Sequence, residues 1–204
     1  MIDVDLLLVW GAAFKKVSPG ELVFSEGQVC SFYYQLVSGK VKWLNTDDAG
    51  KSIIHKLVGP GESFGEFPLF DDGPYAATAI AVVDSVLIRL HKPVFIDLLK
   101  EHSEISLAFA RLLSRRLRSK FSIIQSLVSH CPEKMIGTLI NQFKVEKKNI
   151  CDNCNLLKLT RQQIADMTGL RVETVIRAMR NMHEKGELNI SKGKVYCRDM
   201  IELI

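Results

Sequence analysis

No stretch of this 204-residue chain is apolar for long enough to cross a bilayer as a helix. The opening MIDVDLLLVWGAAFKK puts Asp3 and Asp5 where an export signal carries basic residues. The chain is therefore expected in the cytoplasm, with no membrane role. Its five cysteines, Cys30, Cys131, Cys151, Cys154 and Cys197, are an odd number on a chain without such a signal, which argues against a disulfide framework and leaves free thiols. The five histidines, His55, His91, His102, His130 and His183, never fall in the close His-x-His spacing that metal-dependent β-roll enzymes of the cupin kind need. Neither a phosphate-binding loop nor a serine nucleophile elbow is present, so catalysis is not expected.

What is present is an ordinary core-forming composition, 47% hydrophobic, and a net charge of +4 that is unevenly spread. Residues 1–129 hold 14 Lys+Arg against 14 Asp+Glu, whereas residues 130–204 hold 13 against 9. The surplus lies in the C-terminal third, which points to a polyanionic partner there.

From Lys16 to Arg89 the chain reads as short β-branched and aromatic runs separated by glycine: ELVFSEG, FYYQLVSG, KVKWLNTDDAG, SIIHKLVGPG and TAIAVVDSVLIRL. Short strands with turn residues at near-regular intervals predict an all-β roll, a double-stranded β-helix of jelly-roll type. After His91 the period changes to about 3.6. Pro93 opens a short helix, and Ser103 is placed to cap a long one that runs without Gly or Pro to Cys131. Leu117, Phe121, Ile124, Val128 and Cys131 follow alternating steps of four and three, a coiled-coil seam. A helix of about 28 residues outruns the cover a small β-roll can supply, and a second copy of the same helix is the natural partner.

Pro132 marks a boundary, giving an α+β chain with a β-roll and dimerisation helix over 1–129 and a second domain over 130–204. That second domain combines PEKMIGTLINQFKVEKK, the short NLLKL, two short helices, and LNISKGKVYC with a Gly-containing turn from Ser191 to Lys194. Helices and a terminal hairpin in this order describe a winged helix. In LTRQQIADMTGLRVETVIRAMRNM, Thr160 caps one helix, Gly169 turns the chain, and a second helix starts near Arg171 with Val175, Ala178 and Met179 inward. A small residue at the contact (Ala165), a left-handed turn residue and an apolar anchor make helix-turn-helix spacing. The outward residues Arg171, Glu173, Thr174, Arg177 and Arg180 suit major-groove reading, with Arg able to pair with guanine and Glu to accept from cytosine. Glu173 is the informative one, because a carboxylate amid basic residues suits base readout better than bulk polyanion binding. Thr160, Arg161, Gln162 and Val172 lie at the starts of the two helices, and Lys192 and Lys194 at the hairpin tip suit phosphate contacts from a wing.

The order of β-roll, long helix and C-terminal winged helix resembles the CRP/FNR family of bacterial transcription regulators. VETVIR, Val172 to Arg177, is similar to the V-E-T-x-x-R of its FNR-type branch, in which the Glu and Arg read a palindromic operator. The resemblance implies double-stranded DNA, a second copy of the chain and RNA polymerase as partners, with base readout by Glu173 and Arg177. The branch usually has serine before that arginine; here it is Ile176. The resemblance also singles out SFGEFPLFDDGPYAATAIA as the counterpart of a cyclic-nucleotide pocket, G-E-x-x-L-x-x-x-x-P-R-x-A-T. Gly65, Glu66, Leu69, Pro74, Ala77 and Thr78 match, but Tyr75 stands where the phosphate-binding arginine would be. Losing a buried guanidinium partner costs a phosphate about 2 to 5 kcal/mol. Lys120 and Phe121 fall where adenine-contacting hydroxyls would be, a second departure. Cyclic AMP is thus not the expected effector. Either Gly65, Glu66, Tyr75, Ala76 and Ala77 line a site for another small molecule, or the pocket is a relic.

The C-x-x-C of Cys151 and Cys154 is half a tetrahedral zinc site or a vicinal redox pair. The nearest further ligands in sequence are His130, Cys131 and Cys197, so no metal is expected. The N-terminal cysteine cluster of the oxygen-sensing branch has no counterpart before Cys30. The competing reading is a small-molecule or redox sensor that uses Cys151 and Cys154, with the helix-turn-helix as a protein-contact surface.

Overall fold

The computed structural model describes residues 2–198. The chain divides into two compact units, Met1–Leu113 and Ser114–Ile204.

The first unit opens with α1 (Val4–Val9), capped by the Asp3 carboxylate, which accepts from the backbone N–H groups of Asp5 and Leu6. Eight strands follow: β1 (Ala13–Val17), β2 (Leu22–Phe24), β3 (Phe32–Ser38), β4 (Val41–Thr46), β5 (Ser52–Val58), β6 (Ser63–Phe64), β7 (Thr78–Ala81) and β8 (Ser85–His91). They form two antiparallel four-stranded sheets, ordered β1-β8-β3-β6 and β2-β7-β4-β5. Chain neighbours repeatedly fall in different sheets, the β-roll arrangement that the glycine-punctuated runs predict. The inward faces of both sheets meet in one core that includes Phe24, Tyr33, Leu36, Val41, Phe64, Ala79, Leu87 and Ile88. Gly39 makes the β3–β4 turn at φ 95°, and a methyl group there would stand 2.2 Å from Ser85 Oγ and 2.6 Å from the Asp84 carbonyl. Only glycine fits that corner.

Two helices follow, α2 (Lys92–Glu101), with Pro93 in its first turn, and α3 (Ser103–Val128), which contributes residues to both units. Ser103 is the first helical residue of α3 rather than its cap. At 26 residues α3 is shorter than the sequence pattern predicts. His130 adopts a left-handed conformation at φ 49°, and the Ser129 hydroxyl accepts from the Cys131 backbone N–H, so the helix closes at Val128. Cys131 therefore does not extend the seam along α3; it is the N-cap of the next helix, and its thiol donates to Glu133.

The second unit continues with α4 (Pro132–Glu146), α5 (Arg161–Thr168), α6 (Val172–Glu184), β9 (Leu188–Ser191) and β10 (Lys194–Cys197). Its core gathers Ile136, Leu139, Ile140, Phe143, Ile164, Ala165, Val175, Ala178, Met179 and Met182, all buried. β9 and β10 pair antiparallel with Ser191 opposite Lys194, leaving a two-residue turn, Lys192-Gly193, with both φ values positive at 49° and 75°. That is the turn geometry matched to strand twist in a tight hairpin. No helix among the described residues is long and apolar enough to cross a membrane.

Candidate nucleic-acid interface and effector pocket

Thr160 begins the helix pair with a reciprocal cap. Its hydroxyl accepts from the Gln163 backbone N–H at 3.1 Å, and Gln163 Oε1 accepts from the Thr160 N–H at 3.0 Å. Two of the donors that a helix start leaves unpaired are thereby satisfied. α5 ends at Gly169, left-handed at φ 72°, and α6 starts directly after Arg171, its N-cap. Ala165 is buried where the helices pack, and the Thr168 hydroxyl donates to the Ile164 carbonyl at 2.7 Å, closing the last turn of α5.

α6 is sharply two-sided. Val175, Ala178, Met179 and Met182 are buried, whereas Arg171, Glu173, Ile176, Arg177 and Arg180 are exposed. At 3.6 residues per turn, Glu173, Arg177 and Arg180 fall on one stripe opposite the buried set. Thr174 and Val172 are half-buried on the flanks. Ile176 is 45% exposed beside the stripe, three residues after Glu173 and four before Arg180. The sequence pattern assigns it no role, although the same helical spacing places it there.

The remaining polar positions surround α5 and the hairpin. Gln162 is exposed and donates to Asp166 at 2.7 Å; Arg161 is half-buried. Lys192 and Lys194 are exposed at the hairpin turn. A crevice of about 590 Å³ lies between the start of α5 and the hairpin, lined by Leu156 to Arg161 and Gly193 to Val195. Lys158, which the sequence pattern left unassigned, is exposed at its edge. Asn181 of α6 donates to the Glu133 carboxylate of α4 at 3.1 Å. The backbone N–H at the start of α4 and, after it, that bond hold the carboxyl below its usual range.

In the β-roll, four of the five residues singled out for the effector pocket are buried: Gly65, Glu66, Tyr75 and Ala77. Ala76 is exposed, and its carbonyl accepts from Asn45 at 2.9 Å. Aromatic rings crowd this corner. Tyr75 is stacked on Phe24, which also stacks on Phe64 and leans on Tyr34. A methyl group on Gly65 would lie 2.4 Å from Phe24 Cζ and 3.1 Å from Tyr75 Cε1. Burial pushes the Tyr75 phenol well above its ordinary range.

Cys151 is half-buried and Cys154 exposed, in the turn between α4 and α5. Among the described residues no group of three or more His, Cys, Asp or Glu side chains gathers to hold a metal ion.

Comparison with known proteins accounts for both units. Residues 14–102 match the model of the cyclic nucleotide-binding domain, and residues 133–204 that of the Crp-like helix-turn-helix domain. The chain is 28% identical over 198 residues to the cyclic AMP receptor protein of Thermus thermophilus, covering 97% of this chain and 88% of the relative. It is 26% identical over 184 residues to a CRP-like cAMP-activated global transcriptional regulator of Mycobacterium tuberculosis, covering 88% of this chain and 81% of that one. The crystal structure of the Thermus thermophilus catabolite activator protein aligns over 96% of this chain and 89% of its own at 27% identity, with a TM-score of 0.57. The c-di-GMP-responsive regulator CLP of Xanthomonas campestris shares the fold at 18% identity, with a TM-score of 0.76 over 96% of this chain and 98% of its own. With a β-roll of the cyclic-nucleotide-binding type and a helix-turn-helix of the Crp type on one chain, this protein belongs to the CRP/FNR family of transcription regulators.

Proposed function

We propose that this regulator acts in the cytoplasm as a homodimer on a palindromic operator, with one α6 in the major groove of each half-site. Glu173 accepts from cytosine N4, and Arg177 donates to guanine. Arg171, Thr174, Arg180, Lys192 and Lys194, with Thr160, Arg161 and Gln162 at the start of α5, hold the flanking backbone, and Val172 packs at the groove edge. The observation that carries this reading is the two-sidedness of α6: a fully buried apolar set holds the helix, while the carboxylate and guanidinium groups of Glu173, Arg177 and Arg180 stand in solvent on the opposite side. A second copy along α3 is supported by Leu117, Phe121, Ile124 and Val128, each more than half exposed along one side of that helix. Two-fold symmetry in the protein requires two-fold symmetry in the operator. RNA polymerase is the downstream partner, and the chain itself carries out no catalysis.

The effector, on this reading, is not cyclic AMP. Tyr75, buried and stacked on Phe24 beside Gly65, puts an aromatic ring where the cyclic-nucleotide pattern has its phosphate-binding arginine.

Selection of preferred sequences from a random duplex pool, followed by gel shifts with Glu173→Ala and Arg177→Ala, tests the reading. A palindromic consensus is expected, with each variant losing about 1 to 3 kcal/mol and relaxing preference at one base pair. Wild-type affinity should also fall steeply with added salt, as phosphate neutralisation requires. A flat salt response, or variants that bind the same sequences equally well, would overturn it.

A further inference from the structure

The turn that carries Cys151 and Cys154 is tied into the wing. Ile150 faces Leu157 in an antiparallel bridge; the Cys151 N–H donates to the Leu156 carbonyl at 2.9 Å, and the Asn155 N–H donates back to the Cys151 carbonyl at 2.8 Å. Residues 151–156 thus close a small hairpin end. Its return arm runs along β10: the Leu157 N–H donates to the Val195 carbonyl and the Cys197 N–H to the Asn155 carbonyl, both at 2.9 Å, with Leu156 bridged to Tyr196. β10 begins at Lys194, at the wing tip.

The five thiols differ in chemistry. Cys30 and Cys197 are buried, and the Cys131 thiol is engaged with the Glu133 carboxylate, to which it donates. Cys151 and Cys154 sit together in the turn that the Asn155 N–H closes onto the Cys151 carbonyl, the first half-buried and the second exposed. Its neighbours Cys154 and Asn153, with the positive charge of Lys158, hold the Cys151 thiol below the usual cysteine range. Two thiols three residues apart in one closed turn, the second of them exposed, are the arrangement of an attacking and a resolving cysteine.

We propose that Cys151 and Cys154 form a thiol–disulfide exchange site for low-molecular-weight disulfides, and that its oxidation state is felt at the wing. The Cys151 thiolate attacks one sulfur of the incoming disulfide, whose S–S bond breaks to release one thiolate and leave a mixed disulfide on Cys151. Cys154 then loses its proton to solvent and attacks the Cys151 sulfur; the intramolecular S–S bond forms and the second thiolate leaves. The protein dithiol is oxidised, and one small disulfide is reduced to two thiols. Drawing the sulfurs to bonding distance reshapes the turn that the Cys151–Leu156 and Asn155–Cys151 hydrogen bonds close, and so shifts the arm that pairs with β10.

The test uses the full chain, oxidised glutathione and peptide mass mapping. Wild type should yield the Cys151–Cys154 disulfide with no lasting glutathione adduct. Cys154→Ser should accumulate the adduct on Cys151, whereas Cys151→Ser should gain adduct on Cys154 no faster than on Cys131. Equal labelling of the two positions across the two variants, or a wild type that stays a dithiol while Cys131 is modified, would overturn the exchange site. For the wing, gel shifts of reduced and oxidised wild type on the selected palindrome should differ by about fivefold, the worth of one backbone hydrogen bond. Equal affinity would overturn the coupling. The coupling rests on the DNA-binding reading, whose own failure is distinct: reduced protein would bind no palindrome, while the mass readout would be unaffected.

Discussion

Tyr75 lies flat on Phe24, with ring centroids 3.8 Å apart and planes 10° from parallel. In this one relationship a residue that departs from the cyclic-nucleotide pattern becomes part of the hydrophobic core. The Tyr75 hydroxyl donates weakly to the Phe32 carbonyl at 3.4 Å, so the ring is anchored at its polar end as well. Calorimetric titration with cyclic AMP and with cyclic GMP is expected to give no binding heat up to the micromolar range. Restoring the family residue should not rescue the site. Tyr75→Arg would drive a guanidinium against Phe24, and a loss of about 3 kcal/mol or more in chemical denaturation is expected. Micromolar binding by the wild type would contradict this account of the pocket.

The same cluster sets an alkaline limit on stability. Burial raises the phenols of Tyr34 and Tyr75 above their ordinary value of 10.0. The unfolded chain ionises them near pH 10, whereas the folded chain does so only at higher pH. Their contribution is therefore fully present below about pH 10 and is progressively lost as pH rises from there through the folded values. Denaturation midpoints measured at about pH 8 and about pH 10.5 should show wild type falling more than the Tyr34→Phe, Tyr75→Phe double variant. Parallel falls would show that other groups dominate.

Gly39 offers a sharper test of the β-roll corner. A methyl group there meets Ser85 Oγ and the Asp84 carbonyl at distances no relaxation of a flexible side chain can relieve, and φ is 95°. Gly39→Ala should cost about 3 kcal/mol. Gly20 has a similar φ of 83° with nothing within 4 Å of the added carbon, so Gly20→Ala isolates backbone strain and should cost about 1 kcal/mol. Equal costs would mean that the contact with Ser85 is unimportant.

How far such features could be read from sequence depends on their range. The Thr160–Gln163 cap, the Gly169 break and the inward Val175, Ala178 and Met179 follow from local spacing, and the strand runs around Tyr33 and Trp43 follow from composition. β6, two residues long, and the short α1 carry too little periodicity to stand out. The stack of Tyr75 on Phe24 joins residues 51 apart in the chain, and only the closed roll brings them together. The sequence pattern carries α3 on to Cys131 because Ser129 and His130 are not helix breakers, whereas the left-handed turn at His130 and the Ser129 hydroxyl end it at Val128.

The exposed row on α3 makes a direct prediction about assembly. Phe121 is 66% and Ile124 57% exposed, one helical turn apart on the same side. Covering them with a second α3 gives each ring or branched chain apolar contacts, whereas a carboxylate at this position would face its symmetry mate. Phe121→Glu is expected to run as a monomer in light scattering while keeping its helical content. Its affinity for the full palindrome should drop on the order of a hundredfold, because linked binding of two half-sites is lost. A dimer that survives Phe121→Glu would place the second copy elsewhere.

Ile176 interrupts the polar face of α6 with an apolar side chain that nothing in its own unit covers fully. In a major groove the apolar feature that distinguishes one base pair is the thymine methyl group. Wild type should therefore prefer thymine at one position in each half-site, and uracil there, which removes only that methyl, should weaken binding about threefold to tenfold. Ile176→Ser should bind thymine- and uracil-containing duplexes alike, while keeping the discrimination by Glu173 and Arg177 at their own base pairs. If wild type fails to distinguish thymine from uracil anywhere in the selected half-site, Ile176 touches no base, and its exposure belongs to the rim of the interface rather than to readout.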